Sequence, residues 1–329
     1  MTPAGMPQPL QPQRLIFAGI DIGTLTCRLL IAEILNAGRL HELFSDRRIL
    51  RLGQGVDRDR RLAAEAMDRV IATLQEWRKV IDRNEVVACA AVATSAVRDA
   101  QNSAEFLDRV KREAGLEVEV ITGEEEARRI LLGIRSGLAA GVAGILALDI
   151  GGGSTEFILD QPGRPPIVRS IDIGVVRLSE RILQHDAPTE EEIRQAREWI
   201  RKNTASAMTG MHRKAGFTFI GTAGTITSLA AMAQKLPAYG PARIHNYRLK
   251  RDTVMRLEQE LLSRTSTERE GMPGLERGRE EVIAAGAVIL RTVMEMLEQD
   301  EVLVSDFGLR EGVVIDLAKR MGNDERGDQ

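Results

Sequence analysis

Apolar runs broken by glycine- and hydroxyl-rich bends organise the first third of this chain. Residues 15–22 and 28–35 read as strands around a bend, with Asn36-Ala37-Gly38 as a hairpin turn into a third strand at 40–52. From 62 to 83 the spacing becomes helical, placing Leu62, Ala66, Val70, Leu74, Trp77 and Ile81 on one face. The run from Glu85 to Ala93 is nearly all apolar, as expected of a parallel strand buried on both faces. A helix from Ser103 to Ala114, a strand at 117–122 and a helix opening at Glu124 continue the alternation. Alternating strands and helices imply an α/β sheet with crossovers.

After Gly137, Gly141 and Gly144, read as a hinge, the scheme recurs. A bend at 151–154 is followed by a returning strand, a helix near 189–207, an apolar strand at 216–220 and a further helix. The stretch 237–280 reads as irregular, polar and Arg-rich. A helix at 280–298, a strand at 302–304 and a terminal helix close the pattern. The recurrence is visible residue by residue. FAGIDIGTLTCRLLIAE and ILALDIGGGSTEFILD align Asp21 with Asp149, Gly23 with Gly151, Thr24 with Gly152 and Thr26 with Ser154. An internal repeat of this kind sets the fold class before any other reading.

Composition narrows the function. At 329 residues, 43% hydrophobic and 28% charged, the chain suits about two globular domains. Aromatic content of 3% and a net charge of −3 speak against general nucleic-acid binding. Cys27 and Cys89 sit in apolar runs without a CxxC and read as buried reduced thiols. Residues 1–13 and 321–329 read as disordered tails, with no apolar signal-peptide core in the first. The apolar stretch near 138–150 is interrupted by glycines and too short to span a bilayer, so a cytoplasmic location is expected.

Asp21 and Asp149 each end a strand, where open α/β sheets place their ligands. A carboxylate there can hold Mg²⁺ while neighbouring N–H groups hold phosphate oxygens. Gly151, Gly152, Gly153 and Ser154 form a nest of such donors. Gly221-Thr222-Ala223-Gly224-Thr225 before a helix is a third anion-binding candidate. Glu124 and Glu125 read as favourable charge at a helix N-terminus. Glu126, a turn further in, could orient or deprotonate an attacking water. Glu156, in an apolar returning strand, needs a metal or water partner. Arg98 reads equally as a phosphate ligand or a surface residue, and the Arg runs at 47–61 and 243–251 as solvated faces. No HExxH, GxSxG, GK[ST] or GxGxxG motif is present.

IDIGTLTCRLLIAEI, ATSAVRDAQN, ITGEEEARRILLGI, LALDIGGGSTEFIL, IGTAGTITSLAAM, GLERGREEVIAAGAVIL and VSDFGLREG occur in the order found in one family. Across about residues 14–318 the chain resembles the exopolyphosphatase/guanosine pentaphosphate phosphohydrolase family. The resemblance implies two ribonuclease-H-like domains of the actin, hexokinase and chaperone ATPase superfamily around a cleft. It implies a short form lacking the C-terminal HD-type domain, with domain I at 14–136 plus 306–320 and domain II at 137–305.

The implied activity is Mg²⁺-dependent hydrolysis of the terminal phosphoanhydride of inorganic polyphosphate or of pppGpp. Glu126 matches the family's catalytic glutamate, with Glu156 as its acidic partner. Asp21, Asp149 and Glu156 would serve the metal. Gly23, Thr24, Thr26, Arg98, Gly151, Gly152, Gly153, Ser154, Gly221 and Thr222 would serve the phosphate. Leu25 stands where the family usually carries Asn, with both flanking hydroxyl positions kept as Thr. No nucleic-acid or membrane partner is expected, and a homodimer is left open. A sugar or acetate kinase and a non-catalytic alarmone sensor are the alternative readings.

Overall fold

In the computed structural model the described residues are 14–35, 39–139, 141–211 and 217–327, with side chains described to residue 322. The expected N-terminal tail and the turn at 36–38 lie outside them. Strands β1 (Ile16–Ile22), β2 (Thr26–Ile34), β3 (Leu40–Ile49), β4 (Ala88–Ala93) and β5 (Val118–Val120) form a five-stranded sheet in the order β3-β2-β1-β4-β5. Strands β6 (Gly144–Ile150), β7 (Thr155–Asp160), β8 (Ile167–Ile171), β9 (Phe217–Thr222), β10 (Arg248–Lys250) and β11 (Glu301–Val304) form a six-stranded sheet ordered β10-β11-β9-β6-β7-β8.

The repeat in the sequence is a repeat in topology. β1 pairs antiparallel with β2 and parallel with β4, and β6 pairs antiparallel with β7 and parallel with β9. Each sheet has this ribonuclease-H-like centre. β1 and β6 are buried at every residue, which is why both read as unbroken apolar runs rather than alternating ones.

Helices Ala64–Arg83 and Ser103–Ala114 cover the outer face of the first sheet, where Leu74, Trp77 and Phe106 pack with Ile20 and Leu29. Helices Ala223–Ala233, Arg251–Leu262 and Ile283–Met296 cover the second sheet, with Ile226, Leu261 and Ile289 against Leu148 and Phe157. A third apolar cluster joins the two halves. Ile130 and Ile134 of helix Gly123–Gly137 and Val313 of helix Leu309–Gly327 pack with Val92 of β4 and with Ala147 and Ile158 of the second sheet.

Three expectations need correction. The stretch 237–280 contains β10 and helix Arg251–Leu262, whose Val254, Leu257 and Leu261 keep helical spacing among the arginines. β8 went unread, because only Val168 within it is fully buried. Helix Leu309–Gly327 passes residue 320, with Arg320 pairing one turn back to Asp316 at 2.9 Å, so the charged end continues the helix. Among the described residues no helix is long and apolar enough to cross a membrane.

Candidate active site

The β1–β2 and β6–β7 bends use one turn geometry. The Gly23 N–H donates to the Thr26 carbonyl at 3.1 Å, and the Gly151 N–H donates to the Ser154 carbonyl at 3.0 Å. The bends face each other closely. A Cβ on Gly152 would stand 2.8 Å from the Thr24 Cβ, so only glycine permits this approach. Between them lies a cavity of about 60 Å³ whose wall includes Asp21, Gly23, Thr24 and Thr26 from one bend and Asp149, Gly151, Gly152 and Ser154 from the other. Glu126 completes the acidic side of the wall.

Four carboxylates are buried here: Asp21, Glu126, Asp149 and Glu156. Burial pushes Asp21 up to about 6, an effect that Arg28 moderates. Burial also raises Asp149, Glu156 and, well above the usual carboxylate range, Glu126. The charges of Glu156 and Asp149 add to the rise at Glu126. Glu126 enters the cavity because Thr122 caps its helix, accepting from the Glu125 N–H at 3.2 Å, which sets the helix start. Arg98 stands 3.6 Å from Glu126 Oε2, and that oxygen has no hydrogen-bond partner among the described residues. Glu156 Oε1 accepts from Ser170 Oγ at 2.8 Å, and its Oε2 is likewise unpartnered.

Not every expected phosphate ligand reaches the wall. Arg98 lies behind Glu126, where its Nη1 donates to the Ile121 carbonyl at 2.9 Å. Gly153 is turned away, and its carbonyl accepts from Arg177 Nε at 3.0 Å. Gly221 is inside β9, with its carbonyl bound by the Ser305 N–H at 2.8 Å. Thr222 Oγ1 donates to the Phe307 carbonyl at 3.0 Å and lines an adjoining space of about 210 Å³. The third bend therefore meets the cavity one step later, through Ala223, Gly224 and Thr225. Ala223 takes a left-handed φ of 69°, which turns the chain there.

Sequence reasoning missed Arg28, Thr94, Ser95 and Arg279, all on the cavity wall. Ser95 Oγ is 2.8 Å from Thr24 Oγ1, and Arg279 Nη2 donates to Thr26 Oγ1 at 3.3 Å. Arg28 could have been found from hairpin register, since it pairs with Asp21 across β1 and β2. Leu25 stands on the cavity wall and is also part of the buried apolar cluster of the opposite half. Behind Asp21, Cys27 is fully buried, and burial followed by the Asp21 charge pushes its thiol far up.

Among the described residues no three His, Cys, Asp or Glu side chains form a group that could hold a metal by themselves. Asp21, Asp149 and Glu156 are thus not a ready-made cage. Mg²⁺, however, is commonly held by one or two carboxylates together with water and substrate phosphates. Hard oxygen donors on the wall, with unpartnered buried carboxylate oxygens behind them, fit that mode of binding.

A model of the Ppx/GppA phosphatase family matches residues 30–321. Exopolyphosphatase 2 of Mycobacterium tuberculosis is 35% identical over 315 residues, covering 92% of this chain and 98% of its own. The crystal structure of the Aquifex aeolicus member of the Ppx/GppA family superposes with a TM-score of 0.79 at 36% identity, covering 94% of this chain and 99% of its own. An exopolyphosphatase from Cytophaga hutchinsonii superposes with a TM-score of 0.84 at 30% identity, covering 93% and 98%. With the doubled acidic bends closing on one cavity and relatives that match nearly end to end, this chain belongs to the Ppx/GppA phosphatase family, hydrolases of phosphoanhydrides.

Proposed function

We propose that the protein is an exopolyphosphatase that removes the terminal phosphate of inorganic polyphosphate as orthophosphate, with Mg²⁺ as cofactor. The observation that carries this reading is the pairing of two spaces. The inner cavity of about 60 Å³ shares Arg28 and Ala223 with the outer space of about 210 Å³. The inner space has room for a few waters or one tetrahedral oxyanion. Arg28, Arg47 and Arg310 line the outer space together with Glu42, Asp46 and Asp306, and further phosphates of a chain would pair with the arginines there. Its aromatic residue, Tyr239, is covered by the Arg47 guanidinium 4.0 Å from the ring centroid and donates its hydroxyl to Asp306. A guanine would have to displace Arg47 to stack there, which favours polyphosphate over pppGpp. The relatives named as exopolyphosphatases support the same reading.

In this reading the cleft lies between a lobe of residues 14–136 plus 306–320 and a lobe of residues 137–305. Backbone N–H groups of the two bends and one hydroxyl of the Thr24–Ser95 pair, the other being spent on the bond between them, donate to the oxygens of the terminal phosphoryl group. Arg28 and Arg279 offset its charge. Glu126 accepts a proton from the attacking water as the new P–O bond forms, and the electrons of the broken anhydride bond leave on the shortened chain. Its buried setting suits it to hold that proton. Mg²⁺ held by Asp21 and Asp149 would supply positive charge against the developing negative charge on the phosphoryl oxygens.

The test is orthophosphate release from long-chain polyphosphate, short-chain polyphosphate and pppGpp, with and without Mg²⁺. Turnover of long chains that a chelator abolishes is the expected result. Faster turnover of pppGpp than of any polyphosphate would overturn the substrate assignment.

A further inference from the structure

Arg177 lies outside the cavity wall yet touches the framework of the site on both sides of it. It belongs to helix Val175–Arg181 of the second half and is 5% exposed. That helix is bound to the glycine bend through successive carbonyls. The Val175 N–H donates to Gly151 at 3.0 Å, the Val176 N–H to Gly152 at 2.9 Å, and Arg177 Nε to Gly153 at 3.0 Å. These bonds hold the carbonyls of Gly151, Gly152 and Gly153 and so fix the shape of the bend. Gly174 makes this contact possible, since a Cβ there would collide with the Gly152 carbonyl.

The rest of the same guanidinium reaches into the first half. Its Nη2 donates to Asp99 Oδ2 at 2.7 Å, and its Nη1 donates to Asp57 Oδ1. Asp57 also accepts from Arg181, with Nη2 to Oδ1 at 2.7 Å. Asp99 ends the short helix Ser95–Asp99, which also carries Ser95 and Arg98. One planar fork therefore joins the second phosphate bend to the element that presents Ser95 to the cavity and backs Glu126 with Arg98. Lysine cannot reproduce three donor directions from one point charge. A network of this kind gains Coulomb energy but loses hydration, so the two nearly cancel. That balance suits a contact that must form and break rather than one that only stabilises.

We propose that Arg177 is a closure-dependent positioning residue: it completes the phosphate-binding shape of residues 151–153 only when the two halves meet at Asp57 and Asp99. This goes beyond the substrate assignment and does not depend on it.

The test uses the full chain with fluorophores on Glu117→Cys and Glu198→Cys, whose native side chains are 81% and 62% exposed on the two halves. Cys89→Ala removes the half-buried native thiol. Energy transfer in the ligand-free protein should fall in Arg177→Met, and inorganic phosphate should restore it with a midpoint raised roughly tenfold, matching a tenfold smaller closed fraction. Arg177→Lys should fall between the two. KM for polyphosphate should rise by a similar factor while kcat at saturation changes less than about twofold. Should Arg177→Met fail to fold, Asp99→Asn is read instead and should move every quantity the same way by less. Unchanged energy transfer with a lowered melting temperature would make Arg177 merely structural and overturn the proposal. So would a loss of kcat at an unchanged distance. Absence of polyphosphate turnover bears only on the substrate, because the distance reads closure directly.

Discussion

The bend around Gly23 and the bend around Gly151 share a backbone turn but differ in what stands across the hairpin from the aspartate. In the first, register places Arg28 opposite Asp21, and their charged atoms lie 3.9 Å apart. In the second, the same position holds Glu156 opposite Asp149. One arm sets an arginine across from its aspartate and the other a second carboxylate, with Glu126 nearby, although Arg28 also eases the charge of Asp149. Mg²⁺ bridging Asp21 and Asp149 would serve both arms, but the doubly acidic arm depends on a metal or a proton more, because no cationic side chain stands across the hairpin from its aspartate. A duplicated hairpin has thus acquired two electrostatic characters through one cross-strand pair, and we assign grip to the first and chemistry to the second.

The largest expected effect probes the chemical side. Glu126→Gln should lower kcat by about 10²–10⁴-fold, the usual contribution of a general base, as measured by phosphate release from protein with an unchanged circular dichroism spectrum. Near-normal turnover would remove the acidic arm's role. The comparison itself is sharpened by matched substitutions of the cross-strand pair. Arg28→Gln should raise KM by about ten- to a hundredfold, the range for a lost charge-assisted hydrogen bond, with a smaller change in kcat. Glu156→Gln should act chiefly on kcat. Equal effects on both constants in both variants would erase the division of labour.

The smallest effect concerns Leu25. Because its side chain is buried in the opposite half, Leu25→Asn should cost about 2 kcal/mol of stability, measured by urea denaturation, and should not improve turnover. Unchanged stability with faster turnover would show that the position acts as a polar ligand after all.

The parts of this architecture that could be read from sequence are those with short-range periodicity. β1 and β6 announce themselves as apolar runs ending in Asp, and the outer helix Ala64–Arg83 as a helical stripe. Helix Arg251–Leu262 hid because arginines and glutamates crowd the positions between its three apolar anchors, and one of them, Glu258, is fully buried between Arg197 and Arg291. The site divided along the same line. Residues within the bends were legible, since backbone donors and carboxylates occur there in one continuous phrase. Arg279, Asp57, Asp99 and Arg177 were not, because what matters about them is a contact across 78 to 253 residues of chain. The misplacement of Gly221 and Thr222 has a local cause: β9 runs two residues further than its apolar stretch, so the turn begins at Ala223.

Cys27 carries a last consequence. Its thiol is sealed beneath Asp21 and held far above its ordinary ionisation range, and Cys89 is pushed up to about 11. Neither offers a thiolate at neutral pH, and the thiolate is the form that peroxides and alkylating agents attack. Peroxide or an alkylating agent at neutral pH should therefore leave both cysteines unmodified in the folded protein, which intact-mass measurement checks.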